Sequence, residues 1–445
     1  MYERIYVCHT YYHVYIACLK ELMRRKACGE GRAEIAEASL VLSTMSNDFK
    51  ELPERARRCG LFAEVFLFEE KEDTFFPELK PLRTDTGNLA RNMVNRMVFL
   101  RRFAALEAPF VPVDFRAYRD IYVFCDSDPI GYYLSANRIR YHALEDGLDC
   151  LKYYDTARYD NRGHFEFKAW MARMGLIFIQ NGYGKYCIDM EVNDIDALQF
   201  PGPGAHTDRA ARRKERDGRR GKCVGKEGAE ASRDTGKGAE GSEMHRVGKY
   251  VESSREAMVS RLTQEDKNLL TELFIANLAE LQTTLATGGL LECGARGAGE
   301  PAEARGTEEL TADGQDTGES AVGVRRKPVV LVLSEPLCDL ETRKRLFMDL
   351  IRENGTVDGR EAQVVIKPHP RDVLDYRKEF SDYLILDPFF PMEILNFVEG
   401  LWFDKVVTVY TVPSSIHCAG EKVYLGDDFM DRYEAPEIHR QNEQI

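Results

Sequence analysis

Short apolar runs alternate with amphipathic stretches along most of this chain. In the first half the runs fall at residues 5–8, 39–43, 64–68, 121–125 and 141–144. In the second half they fall at 329–333, 364–366, 383–386, 406–409 and 422–425. Between them apolar positions recur at helical spacing, the longest such stretch running from 88 to 106. Continuous apolar strands separated by helices predict parallel sheets covered on both faces. The pattern occurs twice, so the expected α/β fold has two Rossmann-like domains facing each other across an interdomain cleft.

Two segments break the alternation. Residues 203–247 are rich in Gly, Arg, Lys, Glu and Ala, and residues 287–326 repeat that character with an acidic bias. Neither has enough large apolar side chains to offset the entropy of ordering, so both are expected to be disordered insertions. Residues 248–286 lie between them and carry helical spacing through Leu262, Leu269, Leu270, Leu273, Phe274, Leu278 and Leu281, which predicts a helical connector. The domains then fall at 1–202 and 327–445.

Composition narrows the class. A chain of 445 residues is too long for one core, and 44% apolar residues are ordinary for a folded protein. With 61 basic against 74 acidic residues, a net of -13, no nucleic-acid partner is expected. The eleven cysteines are scattered with no CxxC pair, and Cys8 and Cys125 sit in strand-like runs. Buried free thiols in a reducing cytoplasm fit this better than disulfides or zinc. The chain opens on a strand without a leader-like segment and has no apolar run of about 18 residues, so a cytoplasmic protein is expected.

Ligands of doubly wound sheets bind beyond the carboxyl ends of the strands. One strand there runs into Glu145-Asp146-Gly147. Read blandly, this is a surface turn; read functionally, it is a carboxylate able to take a proton from a hydroxyl. A second strand ends in Lys367-Pro368-His369-Pro370, where two prolines stiffen the backbone around a histidine suited to a departing phosphate. A third leads into Pro413-Ser414-Ser415, hydroxyls that cap a following helix and can also meet an anion. Asp126-Ser127-Asp128 has the spacing of a metal-binding DxD.

Taken together and in this order, these motifs resemble the bacterial sialyltransferases, most of all glycosyltransferase family 52, the lipooligosaccharide sialyltransferase group. The first strand and loop, from Tyr6 through His13, and the stretch from Asp126 through Tyr153 resemble the same family, over roughly residues 1–200 and 327–430. The resemblance implies a GT-B-type fold, an N-terminal acceptor-side domain with His9, Thr10, Asp126 and Asp128 at its cleft, and a C-terminal nucleotide domain. It implies an inverting transferase that moves sialic acid from CMP-sialic acid to a hydroxyl of a terminal galactose on a bacterial surface glycan. Glu145 or Asp146 is then the base, His369 contacts the phosphate and can act as acid, and Ser414 and Ser415 bind the same phosphate. Gly147 and Pro370 belong to the donor-binding motifs, and Glu393 resembles a carboxylate that holds the ribose.

No cofactor and no metal are expected, because one phosphate, unlike a diphosphate, can be met by a histidine and hydroxyls. Asp126 and Asp128 are accordingly read as acceptor-side residues. The partners are a CMP-sugar donor and an oligosaccharide or glycolipid acceptor. Some relatives are dimeric, so a homodimer is compatible with the resemblance. Any membrane contact is expected to be peripheral, at the inner face, with Arg212, Arg213, Lys214, Arg219 and Arg220 as available basic residues. The alternatives are a transferase of the same fold using CMP-Kdo or a UDP-hexose, and a non-catalytic nucleotide- or glycan-binding protein.

Overall fold

The apolar runs of the first half form strands in the computed structural model, which describes residues 2–28, 37–45, 48–124, 126, 129–146, 164–195, 250–287 and 327–436. They are β1 (Tyr2–Cys8), β2 (Ala38–Ser43), β3 (Phe62–Phe68), β4 (Tyr118–Phe124) and β5 (Tyr141–Leu144). Two more, β6 (Cys187–Val192) and β7 (Tyr250–Glu252), complete a seven-stranded sheet in the order β3-β2-β1-β4-β5-β6-β7. Every pairing in it is parallel. The helices α1 (Tyr11–Cys28), α2 (Leu52–Arg58), α3 (Lys80–Arg83), α4 (Leu89–Glu107) and α5 (Pro129–Ala136) lie between these strands in sequence. Ile5, Val7, Val123, Ile130, Leu134, Ala143 and Met190 are part of the buried core.

The sequence reading does not anticipate β6, and the reason is chemical. Its Asp189 and Glu191 make it read as polar, but both have partners: Asp189 lies 2.6 Å from His142 Nδ1, and Glu191 pairs with Lys20 of α1. Parallel register places Tyr6 beside Tyr122 and Tyr122 beside His142, and the three rings stack side by side at 4.9 Å. Arg24 donates to the Tyr122 hydroxyl at 2.6 Å, and Glu21 accepts from Arg4 and from the Tyr6 hydroxyl. A satisfied polar layer thus replaces the apolar one that periodicity anticipates.

The second half builds a second parallel sheet from β8 (Val329–Leu333), β11 (Gln363–Lys367), β12 (Leu384–Ile385), β13 (Phe403–Thr408) and β14 (Ala419–Tyr424), in the order β12-β11-β8-β13-β14. A two-residue antiparallel pair, β9 (Thr356–Val357) and β10 (Arg360–Glu361), stands apart from it. Asp339 caps the helix Leu340–Asn354 by accepting from the N–H groups of Glu341 and Thr342, and that helix buries Leu346, Phe347, Leu350 and Ile351. Burying each such side chain contributes about 1.5–3 kcal/mol.

The chain divides at Leu262/Thr263 into two compact units, one per sheet. The stretch 248–286 is therefore shared between the units. It opens as strand β7, continues as the helix Arg255–Val259 packed on α1, and only then enters the second unit as the helices Gln264–Phe274 and Leu278–Thr287. Apart from Thr287, the stretches 203–247 and 287–326 lie outside the described residues, as do Cys125, Asp128, Gly147 and the basic residues 212–220. No helix among the described residues is long and apolar enough to cross a membrane.

Both sheets are doubly wound. In the first, the strand order reverses between β1 and β4; in the second, between β8 and β13. Candidate residues follow the carboxyl ends of these strands and of their neighbours: His9 and Thr10 follow β1, Asp126 follows β4, Glu145 and Asp146 follow β5, His369 follows β11, and Ser414 and Ser415 come after β13.

Candidate functional site

In the first unit, His9 follows β1 directly and is buried. Its Nε2 lies 2.7 Å from Glu70 Oε2. Glu70, two residues beyond β3, also accepts from Ser43 Oγ at 2.6 Å and from the Ile130 N–H at 2.8 Å. One buried carboxylate thereby ties together the ends of β1, β2 and β3 and the start of α5. Thr10 caps α1, its Oγ1 accepting from the His13 N–H at 3.1 Å.

Asp126, just past β4, is fully buried with φ 30°. Its carboxylate accepts from Tyr141 Oη at 2.6 Å and from the N–H groups of Asn181 at 2.5 Å and Gly182 at 3.4 Å. Turned on three neutral donors, it holds the Asn181-Gly182 turn against β5. Among the described residues no group of three or more His, Cys, Asp or Glu side chains is arranged to hold a metal.

Glu145 and Asp146 are adjacent, yet their surroundings differ. The Glu145 side chain is 1% exposed and its Oε1 forms an ion pair with Arg255 at 3.2 Å. Its Oε2 accepts from the Asn193 N–H at 2.7 Å, and Arg255 Nη2 donates to the Glu145 carbonyl at 2.7 Å. The Asp146 side chain is 42% exposed, and its Oδ1 lies 2.6 Å from Nε2 of the buried His13. One carboxylate is locked inside a bracket of donors; the other is presented to solvent. Sequence reasoning missed Glu70, His13 and Arg255. His13 sits on the helical face of an aromatic-rich stretch where a packed histidine is the ordinary expectation, and Arg255 is 110 residues from its partner.

In the second unit, β8 is followed by Ser334 and Glu335. Ser334 Oγ accepts from the His369 N–H at 3.1 Å. Glu335 is buried and accepts from the N–H groups of Tyr410 and Thr411, pinning the exit of β13. Burial pushes its carboxyl above the ordinary range, although those N–H groups act in the opposite sense.

Lys367 ends β11 and is buried, its Nζ 3.3 Å from the Pro388 carbonyl and 4.4 Å from the Phe390 ring centre. Burial pushes its ammonium down to about 8, while Asp387 and Glu393 act in the opposite direction. The Arg371 N–H donates to His369 Nδ1 at 3.1 Å, which leaves the ring proton on Nε2. Burial, with the charges of Arg371 and Lys367, holds His369 down to about 4. At neutral pH it is a hydrogen-bond donor through Nε2 rather than a charged acid.

Ser415 Oγ is 3.4 Å from Glu393 Oε1. Ser414 is exposed, and its carbonyl accepts from Lys422 Nζ at 3.3 Å. The helix expected after these serines is not there. Pro413–Ser415 is a single 3-10 turn that leads into β14, so no helix end adds its dipole at this position. Glu393 also sits on a 3-10 segment, Met392–Phe397, rather than on an α-helix. Lys367, Glu393 and Ser415 thus form one linked set, with His369 two residues beyond Lys367; Pro370 completes that turn.

No protein-family model matches the chain. It is 30% identical over 98 residues to an uncharacterized protein of Haemophilus influenzae, a match covering 20% of this chain and 31% of that protein. The chain thus spans about a third of the relative it matches. Among solved structures it is similar to an alpha/beta-galactoside alpha-2,3-sialyltransferase from Photobacterium phosphoreum, at a TM-score of 0.41 and 9% identity, covering 99% of this chain and 93% of that one. It is also similar to UDP-GlcNAc 2-epimerases from Neisseria meningitidis and Methanocaldococcus jannaschii, each at a TM-score of 0.33. The first is 8% identical over 91% of this chain and 77% of its own, the second 9% identical over 98% and 91%. At these scores none of the three fixes the fold or the chemistry of this chain, which rest on its own strands and side chains.

Proposed function

We propose that the chain is an inverting glycosyltransferase of GT-B type that moves sialic acid from CMP-sialic acid to a galactose hydroxyl on a bacterial surface glycan. The observation that carries this reading is the split of one acidic pair into a locked Glu145 and a half-exposed, hydrogen-bonded Asp146 at a strand end. That is the arrangement a general base needs: fixed, yet open to a hydroxyl.

In the reaction the acceptor hydroxyl gives its proton to Asp146 as its oxygen bonds to the anomeric carbon. The bond from that carbon to the phosphate oxygen breaks, and its electron pair stays on the CMP phosphate. His369 donates through Nε2–H to the developing charge, and the Ser414 and Ser415 hydroxyls donate beside it. Glu393 accepts from the ribose hydroxyls, and Lys367 adds positive charge near that carboxylate. His9 and Asp126 shape the acceptor side by holding the β1 and β4 exits, with Thr10 capping α1 beside them. The charge to be met is that of one phosphate, so the reading includes no metal.

Incubating the purified protein with CMP-sialic acid and a galactoside tests this. The expected product is a sialoside whose anomeric configuration, read by NMR, is opposite to the donor's. Retention of configuration, or hydrolysis that ignores the acceptor, would sink the reading.

A further inference from the structure

His13 enters none of the chemistry above, yet its side chain is buried and fixed from several sides directly beside Asp146. Its backbone N–H is held by Thr10 Oγ1 at 3.1 Å, and its ring stacks on Phe124 at 4.1 Å with 2° between the planes. The His9 N–H donates to its Nδ1 at 3.1 Å. A nitrogen that accepts a backbone N–H carries no proton of its own, so the ring proton is on Nε2. That N–H points at Asp146 Oδ1, 2.6 Å away.

We propose that His13 is a positioning residue for Asp146, supplying a neutral N–H that aims the carboxylate without adding a cation beside it. This rests on the transferase reading and deepens it. The preceding residue is held differently: Glu145 is paired with Arg255 at 3.2 Å and closed off from solvent, which suits it to holding structure. Arg255 also acts on Asp146 through its charge, while a direct bond to the Asp146 carboxylate comes from the His13 ring N–H, which fixes the direction in which the carboxylate faces.

The geometry also excludes a relay. Nε2 already bears the proton and the Nδ1 lone pair is engaged, so the ring cannot pass a proton onward while both bonds persist. His13 therefore orients and Asp146 reacts. Among the described residues, the charged and titratable groups around the pair include His9 after β1, Tyr12 from α1, Glu145 after β5, and Arg255 from the helix Arg255–Val259. Arg255 also lies over the Tyr12 ring, 5.5 Å from its centre.

The test uses the full-length protein and two variants. His13→Phe keeps a ring against Phe124 and removes the donor; His13→Gln restores an N–H. With CMP-sialic acid and a galactoside, His13→Phe is expected to lower kcat about 100-fold, the loss typical of a misplaced reacting group. The donor KM should change little, and the acidic limb of the pH profile should move to higher pH, because a carboxylate that loses a donor holds its proton more tightly. His13→Gln should recover part of both effects. In parallel, nitrogen-15 NMR of the parent should show His13 protonated at Nε2, with a hydrogen-bonded proton that disappears in Asp146→Ala.

An active parent whose kcat and pH profile are unchanged by His13→Phe would overturn the positioning role and leave the transferase reading standing. A parent inactive with every sugar nucleotide would overturn the transferase reading, and this role with it. The NMR signal reads the pair without turnover, so its absence in the parent overturns the His13–Asp146 bond itself.

Discussion

Glu145 and Asp146 are neighbours of similar chemistry, and their different burial assigns them different consequences on substitution. Asp146→Asn keeps the size and the hydrogen bond to His13 but removes basicity, so transfer should fall by about 10²- to 10⁴-fold with folding intact. Glu145→Ala leaves Arg255 without its carboxylate in a nearly closed site, so it should cost about 3 kcal/mol of stability in denaturant titrations. Full activity in Asp146→Asn, or an unaltered midpoint in Glu145→Ala, would reverse the assignment. The sequence shows two adjacent acids at a strand end and nothing that ranks them. The ranking comes from Arg255 and His13, 110 and 133 residues away, which no local pattern connects.

Two buried groups give opposite pH dependences. His369 is held to about 4 against an ordinary 6.5, so between those values the unfolded chain binds a proton that the folded chain refuses. Stability therefore falls as pH drops through that window, and His369→Ala should flatten the slope. Glu107, at the end of α4, is pushed up to about 7 from 4.5 by burial, with the Lys71 N–H acting against the shift and Glu70 adding to it. Its Oε2 has no hydrogen-bond partner among the described residues. Here the folded chain keeps a proton that the unfolded chain releases, so stability is lost as pH rises from 4.5 to 7, and Glu107→Gln should flatten that loss. Unfolding midpoints of parent and variants across pH 4–7 separate the two. A variant whose slope matches the parent's would remove that group from the account.

At the scale of elements, the strands were most legible where they are buried on both faces. The runs at 5–8 and 329–333 became part of β1 and β8 because uninterrupted apolar side chains leave little alternative. β6 was illegible because its Asp189 and Glu191 are paired inside, and β7 because three residues carry no period. The turn at Pro413–Ser415 misled for a different reason. Proline and serines suit the start of an α-helix equally well, and only the return of the chain to β14 decides for a single turn. Within α5, Gly131 is required by proximity: a Cβ there would lie 2.2 Å from the Asp126 carbonyl oxygen. Gly131→Ala should therefore destabilise the first unit by about 1–3 kcal/mol and loosen Asp126. A melting curve like the parent's would show that the β4 exit has room to move.

The whole molecule carries two doubly wound parallel sheets, and the division at Leu262/Thr263 was not visible in the sequence, where 248–286 reads as one helical stretch. Apart from β6 and β7, the strands of both sheets follow from strand alternation, and the sheets stand without any resemblance. The donor sugar does not: it depends on Glu145-Asp146-Gly147, His369-Pro370 and Ser414-Ser415 acting as one set. A donor screen of the purified protein, with a galactoside present and no added metal, tests that set most directly by reading free CMP, UDP and GDP. The account predicts acceptor-dependent release of CMP from CMP-sialic acid, lost in Asp146→Asn. Release of UDP or GDP from their sugar nucleotides, with CMP-sialic acid left intact, would contradict it.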